Sequence, residues 1–195
     1  MLKPKSYDET RTARFERIMT GPHKAVIMQV EERKSATGRD MIAVYIDFDK
    51  DDVQPGYFSA AYKADTREKK KWPYQAVQYI LTEDSEGNTN RSFKQFIEAY
   101  EDSNDRQVVW GDNFGKQFVG AKIGVTYGDV EEEYEGQLHT RQRIRWFFKL
   151  ADFENESVPD LKVFKGNLSV VPAQSNTGTD WMDLSAADDE DLPFR

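Results

Sequence analysis

His139–Leu150 reads HTRQRIRWFFKL, and its alternation of polar and apolar residues predicts a β-strand. Side chains alternate across a strand, so the stretch presents two different faces. The apolar face is expected to pack in a core and holds Ile144, Trp146, Phe148 and Leu150. The other face is a basic ladder with one aromatic residue set into it. It carries His139, Arg141, Arg143, Arg145, Phe147 and Lys149.

This basic face is typical of a surface that binds single-stranded DNA. Cations neutralise backbone phosphates and release counterions, while aromatic rings stack on exposed bases without sequence preference. Phe147 is the stacking candidate, and the three arginines are candidate phosphate contacts. The alternative is an ordinary solvated strand, because antiparallel sheets commonly place charged residues outside.

Two other places combine charge or polarity with rings. Lys69-Lys70-Lys71-Trp72-Pro73-Tyr74 is basic and then aromatic, as expected of a loop that grips a nucleic-acid strand. The alternative is a solvated loop with Trp72 buried. Tyr45, on the polar side of its strand beside Asp47, is a weaker stacking candidate. The further predicted DNA-binding residues are therefore Lys69, Lys70, Lys71, Trp72, Tyr74 and Tyr45.

The surrounding sequence predicts a mainly β fold of the α+β class. Residues 117–127 alternate as a partner for the basic strand, residues 24–31 and 42–48 form a first hairpin, and residues 56–62 add a third strand. Residues 92–101 have helical spacing, with Asn90 as a cap. Strands on both sides of one helix favour an OB-like five-stranded β-barrel.

Composition divides the chain into three parts. Residues 1–20 form a charged N-terminal extension, residues 21–172 an OB-like nucleic-acid-binding domain, and residues 173–195 a disordered linker with an acidic protein-interaction tip. The formal net charge is −8, but six acids lie after residue 172, so the domain itself is closer to balance. A balanced domain can still present a basic face.

The sequence contains no evident catalytic site. It has no cysteine, which excludes thiolate metal sites and cysteine nucleophiles. His23 and His139 have no ligand-like neighbours, and the acids of residues 47–52 lack the spacing of a calcium loop. We expect no enzyme activity, no metal and no cofactor. No apolar run is long enough to cross a bilayer, so no membrane association is expected.

The chain ends with an acidic run followed by Leu-Pro-Phe and one arginine. This end resembles the tip of bacterial single-stranded DNA-binding proteins, which docks replication, recombination and repair proteins. There the acids steer the tip to a basic rim, and Pro and Phe anchor it in an apolar pocket. The predicted interaction residues are Asp188, Asp189, Glu190, Asp191, Leu192, Pro193 and Phe194. Arg195 departs from the family, whose chains end on the phenylalanine.

The body also resembles phage-encoded single-stranded DNA-binding proteins of Gram-positive hosts. Residues 131–136, EEEYEG, followed by the basic strand are similar to the closing hairpin of that group. The resemblance implies binding of single-stranded DNA during phage replication and recombination, in the cytoplasm of a bacterial host cell.

Three other functions stay open at this point. One is a recombination mediator that also anneals complementary strands. Another is an adaptor that binds no DNA and captures host replication proteins through the tail. A nuclease is the third. The sequence also leaves the oligomeric state open, a homo-oligomer included.

Overall fold

The computed structural model describes residues 17–166. The predicted tip, Asp188–Phe194, and the predicted boundary at residue 172 lie outside the described residues. Three short 3₁₀ segments accompany the regular elements, at Tyr74–Ala76, Phe114–Phe118 and Leu150–Asn155. The regular elements are β1 (Gly21–Lys34), β2 (Asp40–Phe48), α1 (Tyr57–Ala64), β3 (Val77–Leu81), α2 (Arg91–Asn104), β4 (Lys122–Tyr134) and β5 (Gln137–Phe148).

The strands form one antiparallel sheet in the order β3-β2-β1-β4-β5. This confirms the prediction of a mainly β fold with five strands. The predicted closure into a barrel is wrong, because β3 and β5 are edge strands that do not pair with each other. β3 is only five residues long. The 3₁₀ turn before β3 packs against β5 and β2, and the Tyr127 hydroxyl of β4 donates to its Gln75 carbonyl at 2.8 Å.

The predicted strand at residues 56–62 is instead the helix α1. It begins after Gly56, whose φ of 61° is a left-handed conformation that glycine adopts without strain. The Asp47 carboxylate accepts hydrogen bonds from the first amides of the helix, Phe58 N at 2.9 Å and Ser59 N at 3.2 Å. A carboxylate at this end satisfies amides that have no partner within the helix. The third strand of the sheet is β3.

The predicted helix is present as α2. Asn90 is its N-cap, and the side chain accepts from Ser92 N at 2.9 Å, which confirms the predicted cap. Its buried face, which includes Phe93, Phe96 and Ile97, covers the inner face of the sheet. No helix within residues 17–166 is long and apolar enough to span a membrane.

A β-bulge in β5 reverses the faces expected from simple alternation. Thr126 pairs with Trp146, but the next residue of β4, Tyr127, pairs with Ile144, which leaves Arg145 as the extra residue. An extra residue moves every later side chain to the opposite face. Phe147 therefore points into the core, where its ring lies 5.2 Å from that of Phe96. Trp146 turns outward and is only partly buried.

Phe147 is therefore not available for stacking on a base, contrary to the prediction, because only 3% of it is exposed. The same correction applies to Tyr45 and Trp72, which are 0% and 7% exposed. Tyr45 lies on β2, which is covered on both faces, and its hydroxyl donates to Glu31 at 3.2 Å. The Trp72 indole N–H donates to the Ile46 carbonyl at 3.2 Å, so this ring belongs to the core.

The segment after β5 returns to the outer edge of β4. Glu131 N donates to the Lys162 carbonyl at 2.9 Å, and Lys162 N donates to the Asp129 carbonyl at 3.0 Å, which forms a short parallel bridge. Gly128 is required here, because a Cβ atom at this position would lie 2.6 Å from Pro159 Cγ. β1 pairs with β4 only as far as Tyr127, so the bridge begins just beyond the end of that pairing.

A buried polar cluster holds the start of β1. The side chains of His23 and Asp52 are each 1% exposed, with 3.0 Å between Nδ1 and Oδ1. His23 Nε2 lies 2.8 Å from the Met19 carbonyl, and Asp52 also accepts from the amides of Lys24 and Gln54. Burial alone would raise the pKa of Asp52, but the hydrogen bonds from His23 and these amides outweigh it and lower the pKa.

Gly115→Ala should destabilise the fold strongly, because the new Cβ would lie 2.2 Å from the Val30 carbonyl oxygen. We expect a loss of about 3 kcal/mol in the free energy of unfolding, measured by urea denaturation. Gly38→Ala is the control, since Gly38 has a φ of 77° but open space around it. That change should cost about 1 kcal/mol. Equal losses would contradict the close approach at Gly115.

Asp52→Asn should remove part of the acid dependence of stability. A carboxyl with a lowered folded-state pKa stabilises the protein above its unfolded pKa of about 3.9, and this stabilisation is lost as pH falls. Thermal unfolding between about pH 6 and pH 2 should show the unmodified protein losing stability below about pH 4. The variant should be less stable than the unmodified protein at pH 6, and its stability should change less as the pH falls. Parallel curves would contradict this role of Asp52.

Candidate nucleic-acid interface

The structure brings together two regions that the sequence presents separately, the basic loop and the basic strand. The Arg143 guanidinium on β5 lies over the Tyr74 ring, with 4.4 Å between Cζ and the ring centroid. Tyr74 is 47% exposed and opens the 3₁₀ turn that follows Pro73. A cation over an aromatic face is attracted by the ring quadrupole, which fixes both side chains in one arrangement.

Arg143 also forms a bidentate ion pair across the hairpin. Its Nε and Nη2 atoms lie 2.6 Å and 2.7 Å from the two carboxylate oxygens of Glu132. The hydrogen bonds from Arg143 lower the pKa of Glu132, so the carboxylate stays charged at neutral pH. Both side chains keep about a third of their surface exposed, at 28% and 32%. An incoming phosphate can therefore reach Arg143, in competition with Glu132.

Arg141 lies one strand repeat farther along the same face. It is partly buried and lines a shallow hollow, in which Asp129 is paired with Arg17. The other lining residues are Tyr74, Gln75, Thr140 and Gln142. His139 continues the row toward the hairpin tip, where its ring centroid lies 6.4 Å from that of Tyr134. We call Tyr74, Arg141, Arg143 and Glu132 the Tyr74–Arg143 site.

The bulge gives Arg145 a different role from the one expected of it. Its Nη1 donates to the Asp160 carbonyl at 2.8 Å, and its Cζ lies 5.8 Å from the Trp146 ring centroid. Arg145 therefore holds the returning segment against the hairpin. A phosphate would have to displace this contact.

Lys149 does not belong to the Tyr74–Arg143 site. It lies past the bulge, roughly 25 Å along the strand from Arg141 at the rise of an extended chain. There it caps the 3₁₀ segment Leu150–Asn155, with its Nζ 3.7 Å from Asp152. The six-residue ladder expected from alternation is therefore divided by the bulge.

Lys69, Lys70 and Lys71 precede Tyr74 of the Tyr74–Arg143 site by three to five residues in the chain. Lys69 and Lys70 are exposed, while Lys71 is partly buried next to the core residue Trp72. Lys70 Nζ donates to the Lys63 carbonyl at 3.3 Å. The lysines of the loop are therefore close to Tyr74 in the chain, whereas Trp72 packs in the core.

Sequence reasoning missed the exposed ring of Tyr79. This residue lies on β3, is 50% exposed and pairs with Ala43 of β2. Since Glu31 also pairs with Ala43, Tyr79 shares the outer face of the sheet with Glu31. The signal was the alternation in residues 77–81, where helix and strand could not be separated because the run is short.

No three histidine or acidic side chains within residues 17–166 are grouped so as to hold a metal ion. The comparisons with known proteins add no family, since neither a protein-family model nor a curated protein sequence matches this chain.

Proposed function

We propose that the protein binds single-stranded DNA with little sequence preference through the Tyr74–Arg143 site. The observation that carries this proposal is the placement of Arg143 over the exposed Tyr74 ring, with Arg141 beside it. Phosphate-binding cations next to an aromatic ring are the combination that single-strand binders use. Lys69 and Lys70 extend the positive charge along the loop.

The chemistry of the site favours a single strand over a duplex. Unstacked bases can lie against a tyrosine ring or a guanidinium plane, and this stacking is tolerant of sequence because every base has a π-face. Tyr74 keeps nearly half of its surface exposed beside Arg143, so a base can reach the ring. The hollow beside Arg141 then receives the backbone.

The strand order supports an OB-like architecture for the domain. OB-folds are five-stranded, partly open Greek-key barrels that bind oligonucleotides on the face of strands 2 and 3 and on the loops after strands 1 and 4. Here α2 lies between β3 and β4 in the chain, and β3 and β5 are the two edge strands of the sheet. Tyr74, in the 3₁₀ turn that precedes β3, contacts Arg143 of β5. Tyr79 on β3 would extend the same binding face.

The acidic tip is proposed to recruit partners. Residues 188–194, which lie outside the described part of the chain, resemble the docking tip of bacterial single-stranded DNA-binding proteins. We therefore propose a phage-type protein of DNA replication and recombination that works in the cytoplasm of a bacterial host. It would hold single-stranded DNA through the domain and replication or recombination proteins through the tail, without enzyme activity of its own.

Tyr74→Ala and Arg141→Ala should weaken binding to a labelled dT oligonucleotide in different ways. Loss of the ring removes stacking of about 1–3 kcal/mol and leaves the salt dependence unchanged. Loss of Arg141 removes one phosphate contact, so the slope of log K against log salt should fall by about 0.7. Fluorescence anisotropy across a sodium chloride series measures both effects.

Lys149→Ala is the matched control, because Lys149 belongs to the same sequence ladder but lies past the bulge. It should leave affinity and slope unchanged, and an effect equal to that of Arg141→Ala would contradict the proposed position of the site. Absence of binding at low salt would reject DNA binding and favour the adaptor. Annealing of complementary strands would identify a recombination mediator, and metal-dependent cleavage a nuclease.

Glu132→Gln should strengthen DNA binding, because the carboxylate competes with phosphate for Arg143. A partly exposed ion pair contributes up to about 1 kcal/mol, so the affinity should rise by up to about fivefold at low salt. Glu135→Gln removes the same charge at the exposed hairpin turn and is the control. An equal gain in both variants would show a general charge effect and no specific competition at Arg143.

A further inference from the structure

A second surface lies at the opposite end of β1 from the Tyr74–Arg143 site. We call it the Trp110 groove, and its central feature is an indole that is 65% exposed. It is lined by residues from the far end of the sheet and from the loop after α2, among them Glu32, Asp40, Met41, Thr82, Trp110 and Asp112. Phe93 and Phe114 form its buried floor.

The exposed indole is held in a fixed position. Its ring stacks on Phe114, with 5.4 Å between centroids and 18° between planes. The preceding residue is clamped by Gln117, whose side-chain oxygen accepts from Val109 N at 2.8 Å while its amide nitrogen donates to the Val109 carbonyl at 2.9 Å. A large ring that is already ordered loses little conformational entropy when a ligand covers it.

The charge of the groove is acidic. Glu32 and Asp112 form no ion pair within residues 17–166, whereas Asp40 is paired with Lys34 at 2.6 Å. No lysine or arginine within the described chain lines the groove. Acids of this kind repel the phosphates of a nucleic acid and attract a cation. The free face of an indole is also the best aromatic partner for a cation.

The groove is separate from the proposed DNA site. Glu32 pairs with Ile42, so it faces the same side of the sheet as the core residues Val30 and Val44. Gly21, at the other end of β1, pairs with Tyr127 beside the hairpin. The groove and the hollow beside Arg141 share no lining residue. Both surfaces can therefore be occupied at once.

We propose that the Trp110 groove docks a partner protein through a short segment that places an arginine or lysine beside an aliphatic side chain. The cation lies over Trp110 between Glu32 and Asp112, and the aliphatic side chain covers Met41 and Thr82. Exposed apolar surface beside a polar rim is typical of a protein-binding site. Docking at the Trp110 groove does not require DNA at the Tyr74–Arg143 site.

The test uses the full chain labelled with ¹⁵N and two blocked peptides, Ser-Leu-Arg-Leu-Ser and Ser-Leu-Gln-Leu-Ser. The indole N–H signal of Trp110, assigned by its loss in Trp110→Phe, should shift with the arginine peptide at millimolar concentrations. The glutamine peptide should bind at least threefold more weakly. The double variant Glu32→Gln/Asp112→Asn should weaken the arginine peptide by about threefold or more.

The matched control is Asp102→Asn/Glu154→Gln, which removes two exposed charges away from the groove and should leave peptide binding unchanged. Equal binding of the two peptides would overturn the proposal, as would the absence of a Trp110 shift at ~10 mM peptide. A larger Trp110 shift with a dT oligonucleotide than with the arginine peptide would also overturn it and identify the groove as a nucleic-acid surface.

Discussion

The bulge at Arg145 is the feature on which the arrangement of the molecule depends. On one side of it, β5 gives Phe147 to the core, where it packs against α2. On the other side, the strand presents Arg141 and Arg143 outward while Ile144 stays inside. One extra residue thus lets a single strand close the hydrophobic core and carry a charged surface. Without it, the arginines and the buried ring would share a face.

Much of the fold could be predicted from the sequence because the relevant signals are local. Alternation identified β1, β2, β4 and β5, and the three-and-four spacing with Asn90 identified α2. Residues 56–62 were misassigned because the acceptor for the first amides of α1 is Asp47, a residue of the preceding strand β2 and not of the segment itself. The prediction of a closed barrel was wrong because closure requires pairing between β3 and β5, two strands that are far apart in the chain.

The candidate site was predicted only in part. The sequence identified Arg141, Arg143 and Tyr74, but not that Tyr74 and Arg143 touch, because this contact joins residues far apart in the chain. The predicted stacking role of Phe147 was wrong because the bulge at Arg145 turns this ring into the core. A signal for the bulge was present in Gly124 and Gly128, since glycines inside a strand often mark such irregularities. Tyr45 and Trp72 became core residues because β2 is buried on both faces.

The parallel bridge between Val130 and Lys162 bears on how the protein avoids aggregation. Beyond Tyr127, β4 no longer has β1 as a neighbour, and its free amides and carbonyls would be a template for strands of other molecules. The returning segment occupies part of this edge with its own backbone and brings Pro159 against Gly128. The β4–β5 hairpin is thereby protected along this edge from cross-β association.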